Sequence, residues 1–497
     1  MSAGTTLAEL EARGLGKVTA GDPATVVRGV RHDSREVEPG DLFVAISGLT
    51  NDGTKYAAAA LERGASALAA ESALPLDAPT LVVRDARRAL AALSAIVYGD
   101  PTARLSVVGL TGTNGKTTTA WVIDEALTHL GQRPALLSTI ETRTPTHREA
   151  APFTTPEGDA IARFAQRALD EGADHLVMEV SSHALALHRA DAVHFSVAGF
   201  TNLTRDHLDF HASMEDYFAA KARLFEDLAP RAAVINVDDP AGAKLAEACR
   251  VPLVLCVSRE GRADADVRAA SCEMTRDGLR AEIDVLAERV TLASPMIGLH
   301  NLDNLMLALG VLHALGHSPR AAADALGRAK GAPGRLERVD GLDGVSVVVD
   351  YARTPDALAR ALDALRPVTA GRLIVVFGCG GDRDREKRPE MGRAAGERAD
   401  LAIVTSDNPR TEDPHAILSA IEPGIAAHLK RGPSGYEIVE DRRAAIRRAI
   451  ERARPGDTVL IAGKGHEDYQ IRGREKLHFD DREEARSAIA ARLGGEA

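Results

Sequence analysis

The sequence has four cysteines, Cys249, Cys256, Cys272 and Cys379, with no Cys-x-x-Cys spacing among them. That excludes a disulfide framework and a cysteine-rich zinc site, and reads the four as reduced core residues. Long apolar runs are missing too. The longest, 305–316, contains His313 and falls short of the roughly 18 residues that argue for a membrane span, so it reads as a buried helix. The opening MSAGTTLAELEARG lacks the basic and apolar regions of a secretory signal, which predicts a cytoplasmic protein with no membrane insertion. No basic block occurs, and 61 Lys+Arg against 72 Asp+Glu leave a formal net charge of −11. Nucleic acid and anionic membrane surfaces are therefore not expected partners. Lysine is scarce, ten in 497 residues, so a lysine inside a motif calls for an explanation.

At roughly 100–200 residues per domain, this length predicts two to four domains, and the patterning divides the chain into three. Residues 1–103 alternate short apolar runs (DLFVAI, ASALAA, TLVVRD) with Ala-rich helical stretches and end near the Gly-Asp-Pro turn at 99–101, a small α/β domain. Residues 104–335 open on the apolar run LSVVGL and show further strand-like runs at 134–138, 175–180, 195–200, 232–237 and 251–257. Helical segments between most of them predict a mostly parallel sheet with helices on both faces. Segments 279–285 and 288–294 alternate like antiparallel strands, 302–316 has helical period, and Gly-Ala-Pro-Gly-Arg at 331–335 closes the block. Residues 336–497 repeat the strand-helix rhythm (VSVVVD, LIVVFG, LAIVTS, TVLIAG), a doubly wound, Rossmann-like domain.

The strongest motif is Gly109-Leu-Thr-Gly-Thr-Asn-Gly-Lys-Thr-Thr-Thr119, between an apolar strand and a helical segment. Glycines there let backbone N–H groups approach phosphate oxygens at a helix N-terminus, Lys116 would reach the outer phosphates, and Thr117 would hold Mg²⁺. The spacing is a variant, because Leu110 stands where the usual first glycine belongs; a purely structural turn is the competing reading. Glu179 ends the strand HLVMEV, where ligands collect in open α/β sheets, although alone it could equally be an ordinary strand-end carboxylate. His207 follows FSVAGF, and an isolated histidine is more often structural than a ligand. Lys221, among Tyr217, Phe218, Leu224 and Phe225, reads by itself as a snorkelling surface lysine.

Read in order, Gly112-Thr-Asn-Gly-Lys-Thr, Glu179-Val-Ser-Ser-His183, Thr201-Asn-Leu-Thr with Asp206-His-Leu-Asp209, Tyr217-Phe-Ala-Ala-Lys-Ala-Arg-Leu-Phe225, Gly298-Leu-His-Asn-Leu-Asp-Asn304, Gly334-Arg-Leu-Glu337 and Asp350-Tyr-Ala-Arg-Thr-Pro-Asp356 resemble the Mur ligases. These are ATP-dependent amino-acid ligases of bacterial cell-wall synthesis. The likeness runs from Asp33-Ser-Arg35 to Ala462-Gly-Lys-Gly-His-Glu-Asp-Tyr-Gln470. In the third block Gly380-Gly-Asp-Arg-Asp384, Lys387-Arg-Pro389, Ser406-Asp-Asn-Pro-Arg410 and Gly463-Lys-Gly-His-Glu467 are similar to the member that adds the third amino acid. Arg410 in the tetrad from Asp407 is similar to the form that takes meso-2,6-diaminopimelate. Chemistry agrees, since diaminopimelate has an extra carboxylate and an arginine fork binds a carboxylate through two hydrogen bonds.

The resemblance implies transfer of the ATP γ-phosphoryl group to the carboxylate of UDP-N-acetylmuramoyl-L-Ala-D-Glu, followed by attack of the amine on the acyl phosphate. It places Gly112, Thr113, Asn114, Gly115, Lys116, Thr117, Thr118, Asn301, Asn304, Arg335 and Asp350 at ATP, with Arg335 at the hinge between the second and third blocks. Mg²⁺ falls to Thr117, Glu179, His207 and a carbamylated Lys221, which would turn a cation that repels the metal into a carboxylate-like ligand. Ser34, Thr50, Asn51, Asp52, Thr154, Thr155, Ser181 and Arg189 match positions for the UDP-sugar peptide. Arg383, Asp407, Asn408, Pro409, Arg410, Gly463 and Glu467 match those for diaminopimelate, where the Glu467 carboxylate suits the distal ammonium. The resemblance thus makes ATP, the UDP-sugar dipeptide and diaminopimelate the partners of a chain read as a monomer. Two positions depart from the family pattern: Arg353 replaces a histidine and receives no role, and Leu187 stands where a glutamine is frequent. Competing readings are a Mur-type ligase for lysine or another amino acid, a folylpolyglutamate synthetase, and a nucleotide-binding regulator without ligase activity.

Overall fold

A computed structural model of the chain describes residues 4–48, 52–275 and 277–494. It is an α/β protein of two compact units, one formed by residues 1–270, 283–290 and 303–326, the other by 271–282, 291–302 and 327–497.

The first unit begins with a five-stranded sheet in the order Lys17–Ala20, Thr80–Val82, Ala67–Ala70, Asp41–Val44, Gly29–Arg31, parallel except for its first pair. Its inner strands are apolar at successive positions because both faces are covered, while the edge strand Lys17–Ala20 is largely exposed. Leu42, Val44, Ala67 and Ala69 pack on the helix Ala86–Val97 through Leu90, Leu93 and Val97. Phe43, Ala45, Leu68 and Ala70 pack on the helix Ala57–Glu62 through Ala57 and Ala60.

The second sheet of this unit has a parallel core in the order Pro134–Leu137, His175–Glu179, Ser106–Thr111, Phe195–Phe200, Ala232–Asn236, Leu253–Ser258. From Ser106–Thr111 the chain turns first to one side and later to the other. That reversal opens a crevice at the carboxyl end of the strand, where ligands bind in such sheets. The strands Gly278–Val285 and Glu288–Ser294 are joined by a two-residue turn in which Leu286 takes a positive φ, the hairpin expected from their alternation. The apolar run at 305–316 falls largely within the helix Leu299–Ala314, where Leu305, Met306, Leu307, Leu309, Val311 and Leu312 are buried. No helix among the described residues is long and apolar enough to cross a membrane.

In the other unit, six strands run in the order Glu337–Arg338, Ser346–Asp350, Thr458–Ala462, Leu373–Phe377, Leu401–Val404, Tyr436–Ile438, all parallel but the first pair. The helices Pro355–Leu365, Lys387–Arg398 and Pro414–Ala426 cover one face; Arg442–Arg452 and Asp481–Arg492 cover the other. The doubly wound reading of the third block holds. One expectation fails: Cys249 and Cys379 are buried and Cys256 is half-buried, but Cys272 is exposed. It lies in the strand Val267–Thr275 where Ala270 to Glu273 all face solvent, so no core is available to it.

Candidate active site

The loop after Ser106–Thr111 is shaped by glycines and tied to a second loop. Gly112 and Gly115 have φ of 144° and 88°, and a Cβ on Gly112 would lie 1.9 Å from Thr201 Oγ1. Thr113 N donates to Asn202 O (2.8 Å), Asn114 N to Asn202 Oδ1 (3.0 Å), and Thr201 Oγ1 to Asn114 O (2.6 Å). The helix Lys116–His129 begins at Gly115 with no side-chain cap, which leaves its first N–H groups for an anion.

Around this loop the structure gathers residues from distant parts of the chain. Lys116 Nζ donates to Gly112 O (2.8 Å) and Thr113 O (3.0 Å), and Lys221 Nζ donates to the same Gly112 O (2.8 Å). Lys221 is not a surface lysine: its side chain is 1% exposed, with Nζ 4.5 Å from the centre of the Tyr217 ring. Burial, then the charge of Lys116, pushes the Lys221 amine well below the ordinary lysine range. Glu179, fully buried, accepts from Thr117 Oγ1 (2.9 Å) and Thr139 N (2.7 Å). His207 takes a left-handed φ of 54°; its ring lies edge-on to His183 at 4.8 Å and to Tyr217 at 6.0 Å.

Among the described residues, no three His, Cys, Asp or Glu side chains meet as a ready metal site. The Thr117 hydroxyl against the Glu179 carboxylate is nevertheless the hard-oxygen pair that suits a nucleotide's Mg²⁺, an ion that brings its own waters and phosphate ligands. Asn304 lines the loop, its Oδ1 accepting from Thr119 Oγ1 (3.3 Å). Thr118 is buried in the first helical turn.

The positions that the resemblance assigns to the UDP-sugar peptide fall into two groups. Thr155 Oγ1 donates to Glu179 O (2.9 Å) and accepts from Ser181 N (3.0 Å), Thr154 Oγ1 accepts from Thr139 Oγ1 (3.0 Å), and Arg189 Nη1 donates to Thr155 O (3.0 Å). Glu157 pairs with Arg189 at 2.9 Å, and Leu187 is the C-cap residue of the helix Ser182–Ala186. In the amino-terminal part, Ser34 is buried in a turn, and Asp52 accepts from Thr54 N (3.0 Å) and Oγ1 (2.7 Å). His32 Nδ1 reaches Asp159 at 2.9 Å and ties the two sheets of this unit together. Thr50 and Asn51 lie outside the described residues.

The other unit carries its own cluster at the carboxyl ends of its strands. Asp407 is buried, its Oδ1 3.5 Å from Lys464 Nζ. Although burial opposes ionisation, the charges of Lys464, Arg353 and Arg442 hold its carboxyl below the usual range. Asn408 Nδ2 donates to Glu467 Oε2 (3.2 Å), while its Oδ1 accepts from Lys464 Nζ (3.0 Å) and Ile471 N (2.9 Å). Arg410, with φ 52°, follows Pro409 and donates through Nη1 to Gly381 O (2.8 Å). Arg383 lies on the same wall, its Cγ 3.7 Å from where a Cβ on Gly380 would stand. Gly463, φ 124°, lets Asp407 approach: a Cβ there would stand 3.2 Å from Asp407 Oδ2. Asp350 Oδ2 accepts from Leu336 N (2.8 Å), and burial raises its pKa against the pull of Arg335. The Arg335 guanidinium lies 4.9 Å from the Tyr351 ring. Asn301 Nδ2 donates to Ile297 O (2.8 Å).

Three family models match in order along the chain: "Mur ligase family, catalytic domain" over residues 26–98, "Mur ligase middle domain" over 110–312, and "Mur ligase, glutamate ligase domain" over 334–465. The chain belongs to the Mur ligase family. It is 46% identical over 489 residues to the UDP-N-acetylmuramoyl-L-alanyl-D-glutamate--2,6-diaminopimelate ligase of Geobacter metallireducens, covering 94% of this chain and 95% of that one. The enzyme of the same name from Streptomyces coelicolor is 44% identical, over 99% and 97% of the two chains. A solved structure of a ligase of that name superposes with a TM-score of 0.76 at 34% identity, covering 99% of both chains. A folylpolyglutamate synthase of Mycobacterium tuberculosis, at 19% identity and a TM-score of 0.58 over 82% of this chain and 95% of that one, shares the fold alone.

In this Mur ligase, sequence reasoning left Tyr217, Thr139, His183, Lys464 and Arg353 without roles. Lys464 had a signal, as one of ten lysines and one that sits inside a quoted motif. Tyr217 and Thr139 carried none, since only packing sets the tyrosine beside Lys221 and the threonine N–H on Glu179.

Proposed function

We infer that the chain is an ATP-dependent ligase that adds meso-2,6-diaminopimelate to UDP-N-acetylmuramoyl-L-Ala-D-Glu, through an acyl phosphate, in peptidoglycan precursor synthesis. The observation that carries the reading is the convergence of Lys116 and Lys221 on Gly112 O beside the Thr117 and Glu179 pair. It sets the Lys116 cation, an amine of depressed pKa and hard oxygen donors at an uncapped helix N-terminus, the positioning and charge that phosphoryl transfer needs.

The loop N–H groups and Lys116 hold the ATP phosphates, and Thr117 and Glu179 hold Mg²⁺. Bound there, the ion would supply charge neutralisation for the transferring phosphoryl group. A carboxylate oxygen of the dipeptide attacks the γ-phosphorus and ADP leaves; the diaminopimelate amine then attacks the acyl carbon, expelling phosphate and losing a proton. The depressed pKa of Lys221 supports carbamylation, because only the neutral amine adds to CO₂: nitrogen bonds to carbon, one proton leaves, and the product is an anion beside Lys116. His207 and the carbamate would complete the metal's surroundings. Thr154, Thr155, Ser181 and Arg189 bind the UDP-sugar peptide next to Glu179, with Ser34 and Asp52 continuing that site. Arg383, the tetrad from Asp407, Gly463 and Glu467 receive the amino acid. Domains at 1–103, 104–335 and 336–497 divide these tasks in a cytoplasmic monomer.

Phosphate release and tripeptide formation from Mg·ATP and the UDP-dipeptide, measured with meso-diaminopimelate, L-lysine or no amino acid, test the reading. Turnover with diaminopimelate alone is expected. Turnover with lysine instead would discard the specificity, and none with any amine would discard the ligase.

A further inference from the structure

Arg353 follows the strand Ser346–Asp350 and is fixed on several sides. Its Nε donates to Gly463 O (2.8 Å), its Nη1 to Tyr351 OH (3.0 Å), and its guanidinium carbon lies 4.3 Å from the centre of the Tyr351 ring. Nη2 is ion-paired with Glu467 Oε2, yet that buried nitrogen has no well-directed hydrogen bond. Asp407 Oδ1, in a side chain only 5% exposed, also lacks one. Both atoms are held by ion pairs alone, Nη2 by Glu467 and Oδ1 by Lys464 at 3.5 Å, so each retains capacity for a directed hydrogen bond to a ligand.

The charges lead to the same place. Arg442 and Asp481, both fully buried, are paired with each other through two hydrogen bonds (2.7 and 2.6 Å). That leaves Asp407 and Glu467 balanced by Lys464 and Arg353. A lone ammonium joining this cluster must draw Glu467 from Arg353 and strand a guanidinium, and breaking a buried pair is strongly unfavourable. An end group that brings an ammonium and a carboxylate together exchanges partners and leaves every charge paired.

We propose that Arg353 contributes to amino-acid specificity by donating, together with Arg410, to the carboxylate at the distal end of the incoming amino acid, while Asp407 and Glu467 take the adjacent ammonium. That carboxylate, which lysine lacks, has lone pairs enough for two guanidinium groups, so Arg353 adds to Arg410, whose Nη1 is engaged with Gly381 O. This rests on the diaminopimelate reading above and extends it to a residue that the family pattern does not supply.

The test compares wild type, R353Q and R353K with meso-diaminopimelate, its distal monoamide and L-lysine, counting tripeptide product and recording thermal unfolding of each variant. Wild type should prefer diaminopimelate to the monoamide and to lysine. In R353Q the KM for diaminopimelate should rise about 30-fold or more, as loss of a buried charged partner implies. The KM for ATP should stay within about twofold and the preference should collapse. R353K, which keeps the charge without the fork, should lose about tenfold in preference, and it carries the test if R353Q does not fold. Equal losses with all three amines, as a merely structural role would give, or an unchanged preference would overturn the proposal alone. Wild type that does not use diaminopimelate would overturn the parent reading and this proposal with it.

Discussion

Replacing Lys221 with alanine separates a structural lysine from a functional one. The substitution removes an amine that is 1% exposed, together with three methylenes that each contribute about 0.8 kcal/mol when buried, about 2.4 kcal/mol in all. Against that loss stands the release of a polar group whose burial costs about 1–3 kcal/mol. Gly112 O keeps Lys116 Nζ at 2.8 Å, so no acceptor is orphaned. The fold should therefore lose no more than about 1–2 kcal/mol, and thermal unfolding should move by a few degrees. Activity should respond differently. Removing one preorganised electrostatic group from a reacting site lowers turnover about 10²–10³-fold, and a coupled ADP-release assay covers that range. Formate or acetate should restore part of the loss by entering as the missing carboxylate, and depletion of CO₂ and bicarbonate should slow wild type but not K221A. A folded K221A that retains activity within about threefold of wild type would refute the reasoning.

Gly112→Ala places a Cβ 1.9 Å from Thr201 Oγ1 at a backbone angle that L-residues rarely adopt; ATP affinity measured by calorimetry should fall at least tenfold, with diaminopimelate binding unchanged. Arg410→Ala should narrow the preference for diaminopimelate over lysine by about tenfold or more while ATP binding stays nearly intact, read from kcat/KM for each amine. Burial, and then the neighbouring Arg335, Arg353 and Arg482, push the His466 imidazole down to about 4. As pH falls from about 6.5 toward 4, the unfolded chain takes up a proton that the folded imidazole refuses, so stability declines across that window. His466→Gln should flatten the slope in urea titrations at pH 4 to 7, and an unchanged slope would count against the burial.

Much of the architecture was legible in the chain because it is written in local periodicity. Apolar runs such as LSVVGL and LIVVFG became buried strands, and the glycines at 112 and 115 took the positive φ that a phosphate loop requires. Cys272 was misread because residue type predicts burial only on average; its strand leaves the core at that point.

The site residues divide along the same line. The sequence alone determined the order of motifs, the scarcity of lysine and the residue types able to hold phosphate, metal and carboxylate, since these depend only on identity and spacing. The tertiary structure decided their electrostatic state. Lys221 reads as a surface residue until folding brings its Nζ to a carbonyl 109 positions away, and Arg353 has no role until it lies against Glu467, Gly463 and Tyr351. Spacing along the chain carries no information on either point, because desolvation and charge pairing act through distances in space and the exclusion of water.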